Sequence, residues 1–376
     1  MWTVSNVDAR QLCVRLLERA GVPIDGPEAW SMRVHDERVW QRLVGERELG
    51  IGESYMDGWW DADELDEMLV RVLTSDIRGA IRPSAKLIAT AAKAVITNRQ
   101  TVRRARRNAH HHYDIGNELY AAMLDQRMVY SCGYWDSASD LAAAQEAKLD
   151  LICRKLHLEP GMRLLDIGCG WGAFVQFATE RYGVQAVGIS PAAEQVAYCR
   201  ERVAGPSVEI RQGDYRKVSG TFDRITSVGM MEHVGPRNLG AFFTVCDRLL
   251  APGGMMLHHT IGVLRTKSYT NPWIDKYIFP GGVLPSLTQL AKAAEPTWVA
   301  EDVHNFGPDY DRTLMAWHAN IEARWDQLPA GYDERFRRMW RFYLLSCAAA
   351  FRARQLQLWQ IVYRRSGVAD RYQPVR

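Results

Sequence analysis

Residues 141–260 alternate between short apolar segments and helix-length segments, and this alternation restricts the fold more than any other feature of the chain. Strands separated by helices of this length form parallel βαβ units with right-handed crossovers. The sequence therefore predicts an α/β fold with a doubly wound sheet. The predicted strands are 163–167, 185–189, 208–211, 222–228 and 255–260, and the predicted helices between them include 173–182, 193–203 and 237–250.

The regions on either side of this segment have a different pattern. Apolar residues at helical spacing in 7–20 and 64–73 predict a mainly helical N-terminal part. Residues 261–376 are rich in Trp, Tyr and Arg, and we expect mainly loops and helices that cap the sheet. The total of 376 residues favours two domains, or one large domain with an extension. We place the boundaries near residues 98 and 140, which gives the segments 1–98, 99–140 and 141–376.

Composition argues against several classes of protein. Lys and Arg (47) exceed Asp and Glu (44) by only three, too small a surplus to indicate nucleic-acid binding from net charge. The seven cysteines are scattered without a C-x-x-C pair, which is typical of reduced thiols in the cytoplasm. No uncharged run reaches the roughly 20 residues of a membrane span, and Asp8 and Glu18 argue against a secretory signal. We therefore expect a cytoplasmic protein that does not cross a bilayer.

A basic strip occupies residues 77–113, which contain nine Lys and Arg residues and neither Asp nor Glu. Within it, helical spacing in 86–97 places Lys86 and Lys93 on one side and apolar residues on the other. The pattern alone favours a helix packed on a core with a solvated basic face. Binding to an anionic membrane surface is the more specific alternative, and a nucleic-acid arm is a weaker one.

A glycine loop follows the first predicted strand. Gly168, Gly170 and Gly172 lead into a helix, and glycine lets the backbone approach a ligand without a Cβ clash. Their G-x-G-x-G spacing differs from the G-x-G-x-x-G of dinucleotide sites, so a nucleoside with an amino-acid tail fits better than a pyrophosphate. A plain strand-to-helix turn is the alternative interpretation.

Polar and aromatic residues also follow the predicted strands, at the sheet edge where α/β folds bind ligands. Asp166 is placed to meet the ammonium group of an amino-acid tail. The next strand ends offer Ser190 and Gln195 for a ribose, and Asp214 and Tyr215 for an adenine. This ordered set predicts S-adenosylmethionine as the cofactor.

Longer motifs point to a known family. They are 112–117 (HYDIGN), 128–135 (MVYSCGYW), 161–172 (GMRLLDIGCGWG), 231–235 (MEHVG) and 257–262 (LHHTIG). Together they resemble the cyclopropane-fatty-acyl-phospholipid synthase family. Residues 49–60 (LGIGESYMDGWW) are similar to an N-terminal domain of its bacterial, phospholipid-acting members, and further similarity continues nearly to the C terminus through 273–280, 305–310, 314–317 and 351–360.

This resemblance implies a Rossmann-like class I S-adenosylmethionine-dependent methyltransferase fold with a helical cap, plus a smaller, mainly helical, lipid-associated N-terminal domain. It implies methyl transfer to the cis double bond of an acyl chain in a phospholipid, followed by proton loss and ring closure. Members of the family hold bicarbonate as the general base. The positions that match its site are Cys132, Glu232, His259, Ile261 and Tyr310, and Tyr130 and Ser131 match cofactor contacts.

The resemblance also implies partners and a location. The substrate is an unsaturated phospholipid in the membrane surface, so we expect a cytoplasmic protein bound peripherally to the inner face of the cell membrane. A homodimer is compatible with this interpretation, and no nucleic-acid partner is expected. The aromatic faces of Tyr134 and Trp135 are candidates to stabilise developing carbocation character by cation–π attraction.

Plainer interpretations exist for single residues and for the whole chain. Taken alone, Cys132 fits a small buried hydrophobe, Glu232 a carboxylate at a helix N-terminus and His259 a core histidine. Met231 and Pro191 depart from the family pattern and put the shape of the acyl pocket and the ribose contact in doubt. Alternative functions are an enzyme that makes a methyl-branched acyl chain, a small-molecule N-methyltransferase, a nucleic-acid methyltransferase and a non-catalytic lipid-binding protein.

Overall fold

The computed structural model describes residues 6–75, 116–267 and 269–376. Its N-terminal part consists of short helices and a two-stranded sheet. In chain order the elements are α1 (Asn6–Arg19), β1 (Arg33–Val34), α2 (Val39–Glu46), α3 (Glu48–Met56), β2 (Trp60–Asp61) and α4 (Leu65–Thr74). The prediction of a mainly helical N-terminal part is confirmed, and α1 and α4 lie close to the predicted helices.

A seven-stranded sheet forms the centre of the remaining chain. Its strands are β3 (Arg163–Ile167), β4 (Gln185–Ser190), β5 (Val208–Gln212), β6 (Phe222–Val228), β7 (Leu250–Val263), β8 (Trp298–Asn305) and β9 (Leu356–Arg365). Their spatial order is β5-β4-β3-β6-β7-β9-β8. Strands β3 to β7 pair in parallel, whereas β9 is antiparallel to both β7 and β8.

Helices cover both faces of this sheet. They are α5 (Asn117–Met123), α6 (Leu141–Lys155), α7 (Ala173–Tyr182), α8 (Ala193–Arg202), α9 (Met231–Val234) and α10 (Leu239–Leu249). Adjacent residues of β3 show the two-sided packing: Leu164 belongs to the buried cluster formed with α6, α7 and α8, while Leu165 belongs to the one formed with α10. The doubly wound α/β fold is thus confirmed. The strand order reverses at β3, which is where such sheets bind ligands.

The prediction for residues 261–376 is wrong in part. Besides the expected cap helices, this region supplies strands β8 and β9, and β9 lies between β7 and β8 inside the sheet. The helices are α11 (Pro272–Tyr277), α12 (Leu287–Ala294), α13 (Pro308–Arg324) and α14 (Glu334–Arg352). Strand β9 is largely apolar, but the buried Gln357 and Gln360 interrupt its apolar run, and its neighbours in the sheet are distant in the sequence.

The N-terminal helices pack on the cap. Helix α14 contacts both α3 and α4, and α11 contacts α3. Where α11 contacts α3, the ring of Trp273 lies very close to Gly52. A Cβ on Gly52 would meet atoms of this ring at 2.4 Å. One buried apolar cluster therefore contains residues from both the N-terminal part and the cap. The domain boundaries near residues 98 and 140 remain a prediction.

Two sequence predictions concern membranes. The basic strip 77–113, with the amphipathic helix predicted at 86–97, lies outside the described residues. Within the ranges that the structure describes, no helix has the length and apolar character needed to cross a membrane.

Candidate active site

A cavity of about 210 Å³ lies at the carboxyl ends of β3, β4 and β6. Every cofactor residue predicted from the sequence lines it, except Gly172. These are Tyr130, Ser131, Asp166, Gly168, Gly170, Ser190, Gln195, Asp214 and Tyr215. The strand ends thus bring together residues that are separated by up to about 85 positions in the sequence, as expected for this edge of a parallel sheet.

The glycine loop has the backbone that only glycine adopts readily. Gly168, Gly170 and Gly172 have φ angles of +90°, +54° and +86°. A Cβ at Gly170 would meet no atom within 4 Å, so this residue faces open space at the cavity. Gly172 instead precedes α7, and a Cβ there would lie 3.1 Å from Cys199 Sγ. Gly172 thus allows close packing of α7 and does not line the cavity, so its predicted contact with the cofactor stays a prediction.

Ser190 and Gln195 form a hydrogen-bonded pair at the end of β4. The Ser190 hydroxyl donates to Gln195 Oε1 over 3.1 Å. The Gln195 Nε2 is buried and has no hydrogen-bond partner among the described residues. Because a buried amide without a partner is costly, this donor is suited to a ligand hydroxyl such as that of a ribose.

Asp214 and Tyr215 form the part of the wall predicted for adenine. Arg216, two residues along the chain, donates from its backbone N–H and Nε to Asp214 Oδ1 and from Nη2 to Oδ2. Oδ2 accepts only this one hydrogen bond in the part of the chain that the structure describes, so it keeps a lone pair. The Tyr215 ring is buried against Phe242, with the ring centroids 5.2 Å apart.

Asp166 lies at the floor of the cavity. Its side chain is buried, and the Thr226 hydroxyl donates to its Oδ1 over 2.9 Å. Burial raises the pKa of Asp166 to about 7, although the Thr226 hydrogen bond and the charge of Lys148 oppose this shift. A cationic group of a ligand bound beside Asp166 would lower this pKa and so favour the ionised carboxylate.

Lys148 was missed by the sequence analysis, although it lines the same cavity. It lies on α6 and is 1 % exposed. The signal was present in the helix pattern, because Lys148 is four residues from both Ala144 and Ile152 on the buried face. A charged residue on an apolar face is an exception that indicates a function or a buried partner.

Glu232 is held at the end of β6 by the first turn of α9. The Ile261 N–H on β7 donates to Glu232 Oε1 over 2.6 Å. Oε2 is buried and makes no hydrogen bond within the described residues. Burial raises the pKa of Glu232 to about 7, against the opposing effects of its own backbone N–H, the Ile261 N–H and the nearby Thr260 hydroxyl. Ile261 therefore acts on the site by holding this carboxyl.

His259 lies two residues before Ile261 on β7 and is fully buried. Gln360 Nε2 on β9 lies 3.3 Å from His259 Nδ1, and donation of this hydrogen bond places the imidazole proton on Nε2. The Nε2 atom has no partner among the residues described. Burial lowers the pKa of His259 well below its usual range, so the ring is a neutral donor. Sequence reasoning missed Gln360 because its strand was not predicted.

Cys132 and Tyr310 complete the predicted catalytic set. Cys132 is fully buried, its Sγ lies 3.1 Å from the Gly133 carbonyl, and burial raises the pKa of its thiol well above the usual value. The Tyr310 ring stacks on Phe351 at 4.6 Å. Burial raises the pKa of Tyr310 strongly, and the proximity of Cys132 and Glu232 raises it further. The predicted catalytic residues thus lie close together beside the cavity.

The two aromatic residues proposed to face a carbocation have other contacts. The Arg312 guanidinium lies over the Trp135 ring at 4.5 Å, and the indole N–H donates to Thr313. Tyr134 packs edge-on against Phe306 at 5.4 Å. A cation already occupies one face of Trp135, so this ring is a poor candidate for stabilising positive charge.

Comparison with known proteins decides the family. Residues 100–361 match the family model described as mycolic acid cyclopropane synthetase. The chain belongs to this family. It is 48 % identical over 350 residues to the cyclopropane-fatty-acyl-phospholipid synthase of Escherichia coli (strain K12), which covers 93 % of this chain and 92 % of the relative. It is 35 % identical over 366 residues to the tuberculostearic acid methyltransferase of Mycobacterium tuberculosis (strain H37Rv), which covers 91 % and 84 %.

A solved relative extends the comparison to the fold. The crystal structure of mycolic acid cyclopropane synthase CmaA1 with SAH and CTAB superposes with a TM-score of 0.65 at 34 % identity, and covers 69 % of this chain and 97 % of that one. The predicted family resemblance and the class I methyltransferase fold are therefore confirmed. By family and fold the chain is an S-adenosylmethionine-dependent methyltransferase.

Proposed function

We propose that the protein transfers the methyl carbon of S-adenosylmethionine to the cis double bond of an unsaturated acyl chain in a membrane phospholipid, giving a cyclopropane ring. The observation that carries this proposal is the position of two buried, unpartnered polar atoms beside the cofactor cavity. Within the described ranges, Glu232 Oε2 and His259 Nε2 have no hydrogen-bond partner. The name of the Escherichia coli relative supports the same reaction.

The cavity residues fit the parts of S-adenosylmethionine, which supplies an electrophilic methyl group on a sulfonium. Gln195 Nε2 would donate to a ribose hydroxyl, and Asp166 would pair with the ammonium group. Tyr215 would contact the adenine, with the remaining lone pair of Asp214 Oδ2 accepting from its amino group. The glycine loop would let the tail lie against the backbone.

An alkene is a weak nucleophile, so the protein must hold it close to the methyl group and keep water out. Its π electrons form the new carbon–carbon bond as the carbon–sulfur bond breaks, which leaves positive charge on the acyl chain. Loss of a proton from the added methyl group then supplies the electron pair that closes the ring. The protein must therefore provide a base that is not itself methylated.

The neutral side chains of the site are poor bases. The raised pKa values of Cys132 and Tyr310 keep both protonated, and the lowered pKa of His259 keeps its ring neutral, with the proton on Nε2 when Gln360 Nε2 donates to Nδ1. Tyr310 and His259 can instead donate hydrogen bonds to an anion, whereas the Cys132 thiol already donates to the Gly133 carbonyl. Glu232 Oε2, once ionised, can accept from a hydroxyl. One acceptor beside two donors fits bicarbonate, which has one hydroxyl and two oxygens that share its charge, and bicarbonate supplies the basic oxygen when bound.

Glu232 itself is the alternative base, because its raised pKa of about 7 suits proton transfer. The two possibilities differ in their need for carbonate. Carbonate-free enzyme should lose turnover and recover it on addition of sodium bicarbonate if an anion is the base. Glu232→Gln should lose roughly 10²- to 10⁴-fold in kcat in either case. The exposed Glu201→Gln is the matched control and should behave like the parent. Turnover that is indifferent to bicarbonate would favour Glu232 as the base.

The reaction product tests the proposed function directly. The protein is incubated with S-adenosylmethionine and vesicles of an unsaturated phosphatidylethanolamine or phosphatidylglycerol, and the acyl chains are analysed by mass spectrometry and NMR. Cyclopropane ring protons are expected. A methyl-branched chain would show instead the activity that the name of the Mycobacterium tuberculosis relative describes. Binding to vesicles without consumption of S-adenosylmethionine would contradict an enzymatic role.

We also propose that the protein meets its substrate as a peripheral protein on the inner face of the cell membrane, with the basic strip 77–113 as the contact. The nine cations of this strip, without an acidic residue, support attraction to anionic lipid. Changing six of them to Gln (Lys86, Lys93, Arg103, Arg104, Arg106 and Arg107) should reduce cosedimentation with anionic vesicles and its dependence on salt. Changing the exposed Arg200 and Arg202 to Gln is the control. Unaltered vesicle binding by the six-fold variant would refute the assignment.

A further inference from the structure

Lys148 is a buried cation whose charge the described protein leaves unpaired. It is 1 % exposed, and its Nζ donates to the Ser131 hydroxyl over 2.9 Å. In the residues that the structure describes, it makes no ion pair within 4 Å. The nearest acidic influences are Asp125 and Asp166, and these carboxyls accept hydrogen bonds from other groups.

A second lysine of the same helix shows how a structural buried lysine is accommodated. Lys155 is also buried, and its Nζ lies 3.4 Å from an Asp302 oxygen and 3.0 Å from His304 Nδ1. Burying an ammonium group without a counter-ion costs several kcal/mol, so an unpaired lysine is not expected in a core. Lys148 differs from Lys155 in one further respect, because it lines the cofactor cavity.

We propose that Lys148 binds the carboxylate of the amino-acid tail of S-adenosylmethionine, with the Ser131 hydroxyl as a second donor. This inference rests on the proposed function, because it assigns a residue within the same cofactor cavity. The tail is a zwitterion, and the cavity offers one buried group of each sign, Lys148 and Asp166. Each charged end of the ligand therefore meets the opposite charge in the protein.

The titration of the two groups agrees with this assignment. Burial lowers the pKa of Lys148 to about 8 and raises that of Asp166 to about 7, so both charged forms are destabilised in the free protein. A bound ammonium group would favour ionised Asp166, and a bound carboxylate would favour charged Lys148. The zwitterion thus supplies both counter-ions that the site lacks.

The charge of Lys148 could instead serve the proposed anion site beside Glu232 and His259. The charge of Lys148 acts on Cys132 and on His259, so an anion held beside these residues would also feel it. The hydrogen bond to Ser131 favours the cofactor, because Ser131 lines the cofactor cavity. The two destinations are separable by experiment, since only one of them involves the carboxylate of the tail.

Calorimetric titration of the purified, lipid-free protein tests the proposal without turnover. The ligands are S-adenosylmethionine, decarboxylated S-adenosylmethionine, which lacks only the carboxylate, and 5′-methylthioadenosine, which lacks the tail. The parent should bind S-adenosylmethionine roughly 10- to 100-fold more tightly than the decarboxylated ligand, the usual effect of a charged hydrogen bond. Lys148→Met should lose most of this preference and keep its affinity for 5′-methylthioadenosine. Lys148→Arg should retain part of the preference.

Lys155→Met is the matched control on the same helix and should keep the full preference of the parent. Because the preference is a ratio within one protein, a change in stability does not imitate the result. A parent that binds both ligands equally would refute the proposal even if Lys148→Met fails to fold. A preference that persists in Lys148→Met, with a raised bicarbonate requirement for turnover, would assign the charge to the base site instead. A parent that binds none of the three ligands would overturn the cofactor site itself, and this proposal with it.

Discussion

The raised pKa of Glu232 predicts an unusual loss of activity in mild acid. In the proposed reaction this carboxyl acts in its ionised form, whether it orients a bound anion or takes the proton itself. A glutamate of ordinary pKa, about 4.5, would be ionised throughout the range from pH 6 to pH 8. Burial raises the pKa of Glu232 to about 7, so it is protonated in most molecules at pH 6.

The size of the effect follows from this value. With a pKa of about 7, roughly nine tenths of the carboxyl groups are ionised at pH 8 and roughly one tenth at pH 6. The value of kcat/KM for the phospholipid should therefore fall about tenfold over this range, because kcat/KM reports ionisation in the enzyme before it binds that substrate. The sign is fixed by the chemistry: activity is lost as pH falls through the pKa.

The assay measures kcat/KM on phospholipid vesicles, with bicarbonate held constant and S-adenosylmethionine saturating at each pH. Saturation is needed because the pKa of Asp166 is also raised to about 7, and its protonation would weaken cofactor binding. Glu232→Gln should have a low activity that varies little between pH 6 and pH 8. If the parent keeps its activity down to pH 5, or if the loss in acid persists in Glu232→Gln, the role assigned to this carboxyl is wrong.

Four further substitutions test other parts of the structure. Gly52→Ala should destabilise the protein by about 1–3 kcal/mol, because the new Cβ would meet the buried Trp273 ring at 2.4 Å. Gly45→Ala, on an exposed helix position with no atom within 4 Å, should stabilise it by up to about 1 kcal/mol in the same denaturation assay, and equal effects would refute the packing of α3 on α11. Cys132→Ser should keep appreciable turnover, because a thiol whose pKa burial raises so far is not a nucleophilic thiolate; complete loss would favour a covalent route. Asp166→Asn should weaken S-adenosylmethionine binding by about 1.5–3 kcal/mol in a calorimetric titration, and an unchanged Kd would contradict the ammonium contact.

The part of the fold that the sequence predicts well is the part with local signals. Strand β6 has the predicted bounds, and β3 and β4 differ from their predicted bounds by at most one residue. Each is a short, buried run next to a helix, so its own apolar pattern and the helices on either side in the sequence both predict a strand. Because the carboxyl ends of such strands share one edge, the sequence alone could also bring together the residues predicted to bind the cofactor, all but one of which line the same cavity.

Strand β9 is also a buried, mostly apolar run, but its place in the sheet depends on distant parts of the chain. Strand β9 forms its longest pairing with β7, about 100 residues earlier in the chain. Its buried Gln360 contacts His259 on β7, and its buried Gln357 accepts from Asn305 on β8. The sequence around it continues the aromatic and basic composition of the cap helices. Strand β7 also begins earlier than predicted, at Leu250, where Pro252 and two glycines indicate a turn. In both places long-range pairing determines the strand.

The same limit applies to the site. The sequence alone suggests a role for the glycines and for the residues at the strand ends. Gln360 contacts His259 only because β9 lies beside β7, and the sequence does not show this pairing. Asp214 has a partner that is close in the sequence, because Arg216 lies only two residues away. Even so, only the side-chain geometry reveals this pairing. Family resemblance could place His259 and Glu232 together, but it could not show which of their atoms remain free.

Those free atoms indicate how stability and function are divided in this protein. A buried polar atom without a partner costs about 1–3 kcal/mol, and a domain is stable by only about 5–15 kcal/mol. Burial without a hydrogen-bond partner would therefore cost the protein stability at three atoms if they bound no ligand, namely Gln195 Nε2, Glu232 Oε2 and His259 Nε2. They lie at the same edge of the sheet, and the neighbouring groups hold each of them in place without satisfying it. Ligands that pair with these atoms would recover that free energy on binding, so part of the cost of burying them becomes affinity for the cofactor and for the proposed anion.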